Sequence, residues 1–152
     1  LSLETCLLKL LLVTDSYPPE VRSASHLMLE LAEELLNRGH NITVITTWPE
    51  YNLDQDSFPN HFTEKEVEKG ITVLRIKTLP HHNVNYFMRG ISQLLMPLQF
   101  LRKLRQYRIQ PDALVVYSPP LPLALVGSWI RRNKIRFVSW ANSSSIYNKG
   151  II

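Results

Sequence analysis

The run "LKLLLVTDSYPPEVRSASHLMLELAEELLNRGHNITVITT", Leu8 to Thr47, constrains the fold more than any other part of the chain. Its first piece, "LKLLLVT" (Leu8 to Thr14), is apolar almost without alternation and is closed by the polar, proline-rich "DSYPPE". A strand with apolar residues at consecutive positions has to be covered on both faces, as in a parallel sheet. Beyond the loop, Ala24, Leu27, Met28, Leu31, Ala32 and Leu35 recur at three- and four-residue steps, while Glu30, Glu33, Glu34 and Arg38 take the other side. This is an amphipathic helix, with Glu34 placed to pair with Arg38 one turn later. Ser23 or Ser25 is expected to cap its start, and Gly39 to supply the left-handed residue past its end. "ITVITT" (Ile42 to Thr47) reads as a second buried strand. Strand, helix and strand make one βαβ unit, whose crossover is right-handed in nearly all known cases.

The remaining segments extend the same alternation. Trp48 to Phe62 is a polar, proline-punctuated loop long enough to be functional. "TEKEVEKGITVLRIK" places Gly70 between two β-prone runs and predicts a hairpin. Tyr86 to Ile109 predicts a long helix, with a kink or break at Pro97. "ALVVY" (Ala113 to Tyr117), "LPLALVGSWIRRNK" (Leu121 to Lys134) and "IRFVSW" (Ile135 to Trp140) predict strand, helix and strand. Ala113 to Ile130 has no charge and approaches the length of a bilayer span, but Pro119, Pro120 and Pro122 would break such a helix in its middle. The expectation is one α/β domain over residues 1–152: a doubly wound, mostly parallel, Rossmann-like sheet with helices on both faces.

Composition narrows the partners. Seventeen Lys and Arg against thirteen Asp and Glu give a net charge of +4. That suits an anionic small ligand or an anionic membrane surface, and lacks the dense basic patch expected of a nucleic-acid binder. Cys6 is the single cysteine, so no internal disulfide forms, and a reducing, cytoplasmic setting is the simpler reading. The opening "LSLETCLLKLLLV" has Lys9 in its apolar run and no small-residue cleavage site, which argues against a secretory signal.

In a doubly wound sheet, ligands bind beyond the carboxyl ends of the strands. The loops Asp15 to Ser25, Trp48 to Phe62 and Ser118 to Pro120 belong there, with the tip Trp140 to Ser145. A helix start attracts an anion through its open N–H groups and dipole, and Arg22 adds a charge beside the first one. The first turn has no glycine, so the G-x-G-x-x-G dinucleotide fingerprint is missing, and neither a P-loop nor a G-x-S-x-G elbow occurs. His81 and His82 have no ligand partners at metal-binding spacing and read as a solvated pair. Cys6 reads as a small core residue, and His40 as a capping or packing residue. His26, on the first helical turn, can face either the cleft or solvent.

Taken together, "LLVTDSYPPE", "ELAEELLNRGHNITVITT", "EKGITVLRIK" and "VVYSPPLPLALVG" resemble the N-terminal half of GT-B glycosyltransferases of glycosyltransferase family 4, in the branch that builds lipopolysaccharide, capsule and other surface glycans. The likeness runs in register from about Lys9 to Ile152. It implies an acceptor-side domain that faces a C-terminal domain holding the nucleotide-sugar donor. Transfer is then with retention of configuration, with no cofactor and no metal. The implied partners are a nucleotide sugar, a glycan or polyprenyl-linked acceptor, and the chain's own donor domain, expected beyond Ile152. The implied location is cytoplasmic, at the inner face of the membrane, with no nucleic-acid role.

Carried over by residue, the family's glycine-rich loop falls on Arg22, Ser23 and Ala24, the donor-phosphate side, and Arg22-Ser23 stands where relatives commonly have Gly-Gly. Acceptor contacts fall to Asp15, Tyr17, His26, Tyr51, Trp140, Asn142 and Ser145. Trp140 occupies the Asp position, and Ser143 the Pro position, of an Asp-x-Trp-Pro-like motif, whereas Ser145 and Gly150 match. No catalytic residue is assigned. The chain by itself is expected to fold but to transfer no sugar. The alternative is a non-catalytic α/β module that binds a partner without a donor domain. Within Tyr86 to Ile109, Phe87, Ile91, Leu94, Leu95, Leu98, Leu101 and Leu104 crowd one side, and Arg102, Lys103, Arg105 and Arg108 cluster at its end. That pattern fits either a sheet-covering helix with a solvated basic end or a helix lying in a membrane interface.

Overall fold

In a computed structural model of the chain, residues 7–49, 62–77, 85–117 and 136–140 are described. Their strands are β1 (Lys9–Val13), β2 (Asn41–Thr47), β3 (Lys65–Glu68), β4 (Ile71–Ile76), β5 (Ala113–Tyr117) and β6 (Arg136–Trp140), and their helices are α1 (Ser23–Asn37) and α2 (Tyr86–Gln106). The six strands form one sheet in the order β3-β4-β2-β1-β5-β6. Every neighbouring pair is parallel except β3 with β4, which is the predicted hairpin. Lys69 and Gly70 join that pair with φ of 50° and 85°, so the two-residue turn has both central residues left-handed. Such a turn follows the twist of the flanking strands.

The continuous apolar run of β1 is explained by its central position. Leu10 to Val13 are all buried, and their side chains alternate between two cores. Leu11 and Val13 join Ile45, Leu74, Leu114 and Val116 beneath Met96, Phe100, Leu101 and Leu104 of α2. Leu10 and Leu12 join Ile42, Val44, Ile71 and Val73 beneath Met28 and Ala32 of α1. The chain builds outward from β1 through β2 to β4 and β3, then returns to the other flank of β1 with β5. The order therefore reverses between β1 and β5, and their carboxyl ends border the crevice where such sheets bind ligands.

Three local expectations change. Neither Ser23 nor Ser25 caps α1: the N-cap is Arg22, in an extended conformation and without a side-chain capping bond, because the Ser25 hydroxyl is used inward. Pro97 does not end α2, which continues from Tyr86 to Gln106 with Pro97 buried. The apolar residues of α2 do not share one side: Leu101 and Leu104 are in the core, whereas Phe87, Leu94, Leu95 and Leu98 are exposed. Gly39 does take the left-handed conformation, at φ 90°, and Arg38 Nε donates to Glu34 Oε1 at 2.8 Å. The expected helix over 121–134 lies outside the described residues. None of the helices among the described residues is long and apolar enough to cross a membrane.

Candidate functional site

Where β1 ends, the loop to α1 is held by its own polar groups in place of glycines. The Thr14 hydroxyl donates to the Ser16 carbonyl at 2.9 Å and accepts from the Ser16 amide at 3.2 Å. Ser16 Oγ donates to Glu20 Oε2 at 2.9 Å and lies 2.6 Å from Ser25 Oγ. Thr14, Ser16, Glu20 and Ser25 are all buried, so these bonds satisfy groups that would each be costly to leave bare. From β2, the Thr47 hydroxyl donates to the Asp15 carbonyl at 2.8 Å, tying the loop to the neighbouring strand. The network also holds the Glu20 carboxylate one hydroxyl away from the first turn of α1.

The predicted phosphate-side residues follow directly. His26 N–H donates to the Arg22 carbonyl at 3.3 Å as the first intrahelical bond of α1, which leaves the amides of Ser23, Ala24 and Ser25 as the open ones of a helix start. The Arg22 side chain is half-buried, with Nη1 3.8 Å from Asp15 Oδ2. Ser23 is exposed, and Ala24 packs against the α1-side core. Asp15, Arg22, Ser23 and Ala24 thus gather at one end of the sheet.

The predicted acceptor residues do not all join them. His26 is exposed on α1. Tyr17 is only 2% exposed and packs in the α1-side core with Met28 and Val73. Burial, followed by the charges of Glu68 and Glu33, pushes its hydroxyl pKa up, against a smaller lowering by Arg75, so it remains a neutral O–H donor. The Trp140 backbone pairs with Tyr117 at the carboxyl end of β6, beside the crevice. Tyr51, Asn142 and Ser145 lie outside the described residues, as do Cys6, His81, His82 and the Trp140 side chain. Among the described residues, no three His, Cys, Asp or Glu side chains group to hold a metal ion.

A second constellation was not expected from sequence. Arg75, in β4, is 1% exposed and occupies the same sheet face as Ile71 and Val73. Its Nη1 donates to Glu66 Oε2 at 2.7 Å, and its Nη2 to Glu68 Oε1 at 2.6 Å and to the Pro18 carbonyl at 3.2 Å. The guanidinium also lies 5.0 Å from the centre of the Phe62 ring. One buried cation thereby joins the edge strand β3, its neighbour β4 and the β1–α1 loop. Period-two alternation gave a usable signal. In "ITVLRI" an arginine stands at the parity of the apolar residues, and in "KEVE" two glutamates share one face.

A family model described as a glycosyl transferase 4-like domain matches residues 24–140, from the first turn of α1 to the last residue of β6. No curated protein matches the chain.

Proposed function

From the premise that this chain belongs to the glycosyl transferase 4-like domain family, we propose that it is the acceptor-side half of a retaining, nucleotide-sugar-dependent glycosyltransferase that extends surface glycans on a lipid-linked acceptor. The observation that carries the reading is the open start of α1 at the carboxyl end of the central strand, with Arg22 beside it. Its charge and the amides of Ser23 and Ala24 suit a diphosphate, which gains negative charge as the sugar leaves. Groups already oriented toward developing charge are the ones that lower a transfer barrier. In this proposal the donor is carried by a second, nucleotide-sugar-binding half, and the transfer needs no metal. Asp15 lies beside Arg22 and is suited to orient an acceptor hydroxyl. The 152-residue chain alone transfers no sugar, because one helix start does not enclose a diphosphate against water.

The outward stripe of α2 supports the lipid-linked part of the reading. Leu94 and Leu98 are 64% and 51% exposed, and Arg102 and Arg105 continue the same stripe in exposed positions. Apolar side chains followed by basic ones suit the interface of an anionic membrane.

The decisive experiment is Arg22→Ala in an enzyme that includes the donor-binding half. Turnover of the nucleotide sugar should fall about tenfold or more. Stability should stay within about 0.5 kcal/mol, since a partly exposed ion pair contributes little. Equal turnover by variant and parent removes Arg22 from the site. Turnover absent from every form containing the donor half moves the reading to a non-catalytic, partner-binding module.

A further inference from the structure

The hydroxyls that hold the β1–α1 loop act at Thr14, Ser16 and Ser25, on either side of Pro18 and Pro19. The two prolines bring no N–H groups, so this stretch offers its surroundings only carbonyl oxygens and needs a donor from elsewhere. Arg75 supplies one: its Nη2 donates to the Pro18 carbonyl at 3.2 Å. Beyond Pro18, two short-range backbone bonds lead to the start of α1. The Glu20 amide donates to the Tyr17 carbonyl at 3.2 Å, and the Arg22 amide to the Glu20 carbonyl at 3.1 Å. The position of the Pro18 carbonyl is thereby passed on to Arg22, the N-cap residue.

Arg75 stands on the face of β4 that carries Ile71 and Val73, where an apolar side chain would also pack. Replacing a buried ion pair by apolar residues of similar volume is often neutral or stabilising, so fold stability does not account for an arginine here. Direction does. A guanidinium presents its donors in one plane at fixed angles. Glu66 Oε2 accepts from Nη1 at 2.7 Å and Glu68 Oε1 from Nη2 at 2.6 Å, which sets that plane and leaves Nη2 aimed at the loop as well. Burial of the Tyr17 ring sets the depth of the loop in the core; the Arg75 bond sets its orientation.

We propose that Arg75 is a positioning residue for sugar transfer: anchored by Glu66 and Glu68, it fixes the Pro18 carbonyl and so orients Arg22 and the open amides of Ser23 and Ala24 toward the donor diphosphate. The inference rests on the reading of the α1 start as the diphosphate side. Arg75 is itself buried, so it acts through the loop and not by touching the donor.

The variant that tests it is Arg75→Met with Glu66→Gln and Glu68→Gln, in an enzyme that includes the donor-binding half. Cation and carboxylates leave together, so the urea midpoint should stay near the parent's, but nothing then holds the Pro18 carbonyl. Its kcat should fall about tenfold or more, since a misplacement of about 1 Å can cost about 100-fold. Arg22→Ala separates positioning from a general loss of structure. It should cost the parent about tenfold but the triple variant about twofold or less, because residues acting as one unit are not additive. Arg75→Lys gives a second test that keeps the charge. Its single ammonium, on a shorter stem, is drawn to the carboxylates and does not also span to the loop, so kcat should fall here too. Parent-level kcat in either Arg75 variant overturns the proposal, as does an Arg22→Ala loss as large in the triple variant as in the parent. Those outcomes leave Arg22 at the site. Unchanged turnover on Arg22→Ala in the parent overturns the site reading itself, and this inference with it.

Discussion

The two faces of the sheet are built from different chemistry. Beneath α2 the core is mainly apolar, from Leu11 and Val13 through Phe100 to Leu114 and Val116, with Ser92 and the Gln99 side-chain oxygen buried on the helix itself. Beneath α1 the core is interrupted by the Glu20–Ser16–Ser25 chain, by Arg75 with its two glutamates, and by the Tyr17 hydroxyl, which has no partner among the described residues. The outer surfaces reverse this contrast in part. Along α2 the outward leucines of an otherwise sheet-covering helix are left to solvent, whereas α1 presents Glu30, Glu34 and Arg38. A face that serves mainly as core can rely mostly on apolar packing. A face that also anchors a binding loop needs directional bonds, since apolar contacts alone do not fix where a backbone turns.

The largest test of this contrast is Arg75→Met beside Phe100→Ala. Removing Arg75 leaves Glu66 and Glu68 facing each other without their shared cation, and releases the Pro18 carbonyl. Breaking a buried pair in this way costs about 3–5 kcal/mol, and the lower end applies because both glutamates stay partly exposed. Phe100→Ala should cost a similar amount, about 3–5 kcal/mol, through lost burial and a cavity. The two losses should differ in how they are repaired. Adding Glu66→Gln and Glu68→Gln to Arg75→Met should recover most of the stability in urea unfolding, because the uncompensated charges are gone. No change of charge should rescue Phe100→Ala. Parent-like stability of Arg75→Met alone would mean that the clamp does not hold the loop, and the contrast between the faces would lose its main support.

An intermediate test addresses the outer stripe of α2. Leu94→Ser with Leu98→Ser should leave folding stability within about 0.5 kcal/mol per site, since neither side chain is in the core. Flotation with vesicles containing anionic phosphatidylglycerol should capture the parent chain and should weaken at high salt. The double variant should float at least about tenfold less, given the apolar area withdrawn from the interface. A parent chain that ignores anionic vesicles would leave these leucines without a membrane role.

Period and polarity made most of the fold legible. β1, β2, β5 and the β3–β4 hairpin fall where apolar runs and Gly70 place them, and Gly39 ends α1 as its conformation demands. Side-chain partnerships across long sequence separations were not legible. Nothing local to Ser25 says that Ser16 will use its hydroxyl inward, and so a capping role looked available to it. Pro97 carried a rule about isolated helices, but packing of Met96, Phe100 and Leu101 against the sheet keeps α2 in one piece. At the candidate site, sequence located Arg22, Ser23 and Asp15 at one end of the sheet because that needs only the strand–loop–helix order. It grouped Tyr17 with them because chain proximity does not reveal that the ring enters the α1-side core.

The smallest expected effect concerns the link between the β3 edge and α2. Glu64 accepts from Lys103 Nζ at 2.8 Å and from the Tyr107 hydroxyl at 3.2 Å, so a polar contact on the surface joins hairpin and helix. The hydrogen bond and charge of Lys103 hold the Glu64 carboxyl below its ordinary range, against a small opposing effect of desolvation. A carboxylate whose pKa is lower folded than unfolded adds stability above its unfolded value, and loses it as pH falls through the folded one. Glu64→Gln should therefore lower the urea midpoint slightly at neutral pH and low salt. The gap from the parent should close in acid, once the parent's Glu64 is protonated as well. It should also shrink at high ionic strength, because the Glu64 side chain is exposed to counterions. The backbone bond from the Arg75 amide to the Glu64 carbonyl, 2.8 Å long, does not depend on the side chain and should keep the edge strand in register. A gap that persists unchanged in acid and in high salt would show that Glu64 acts through packing or geometry, placing it with the directional bonds of the α1 face.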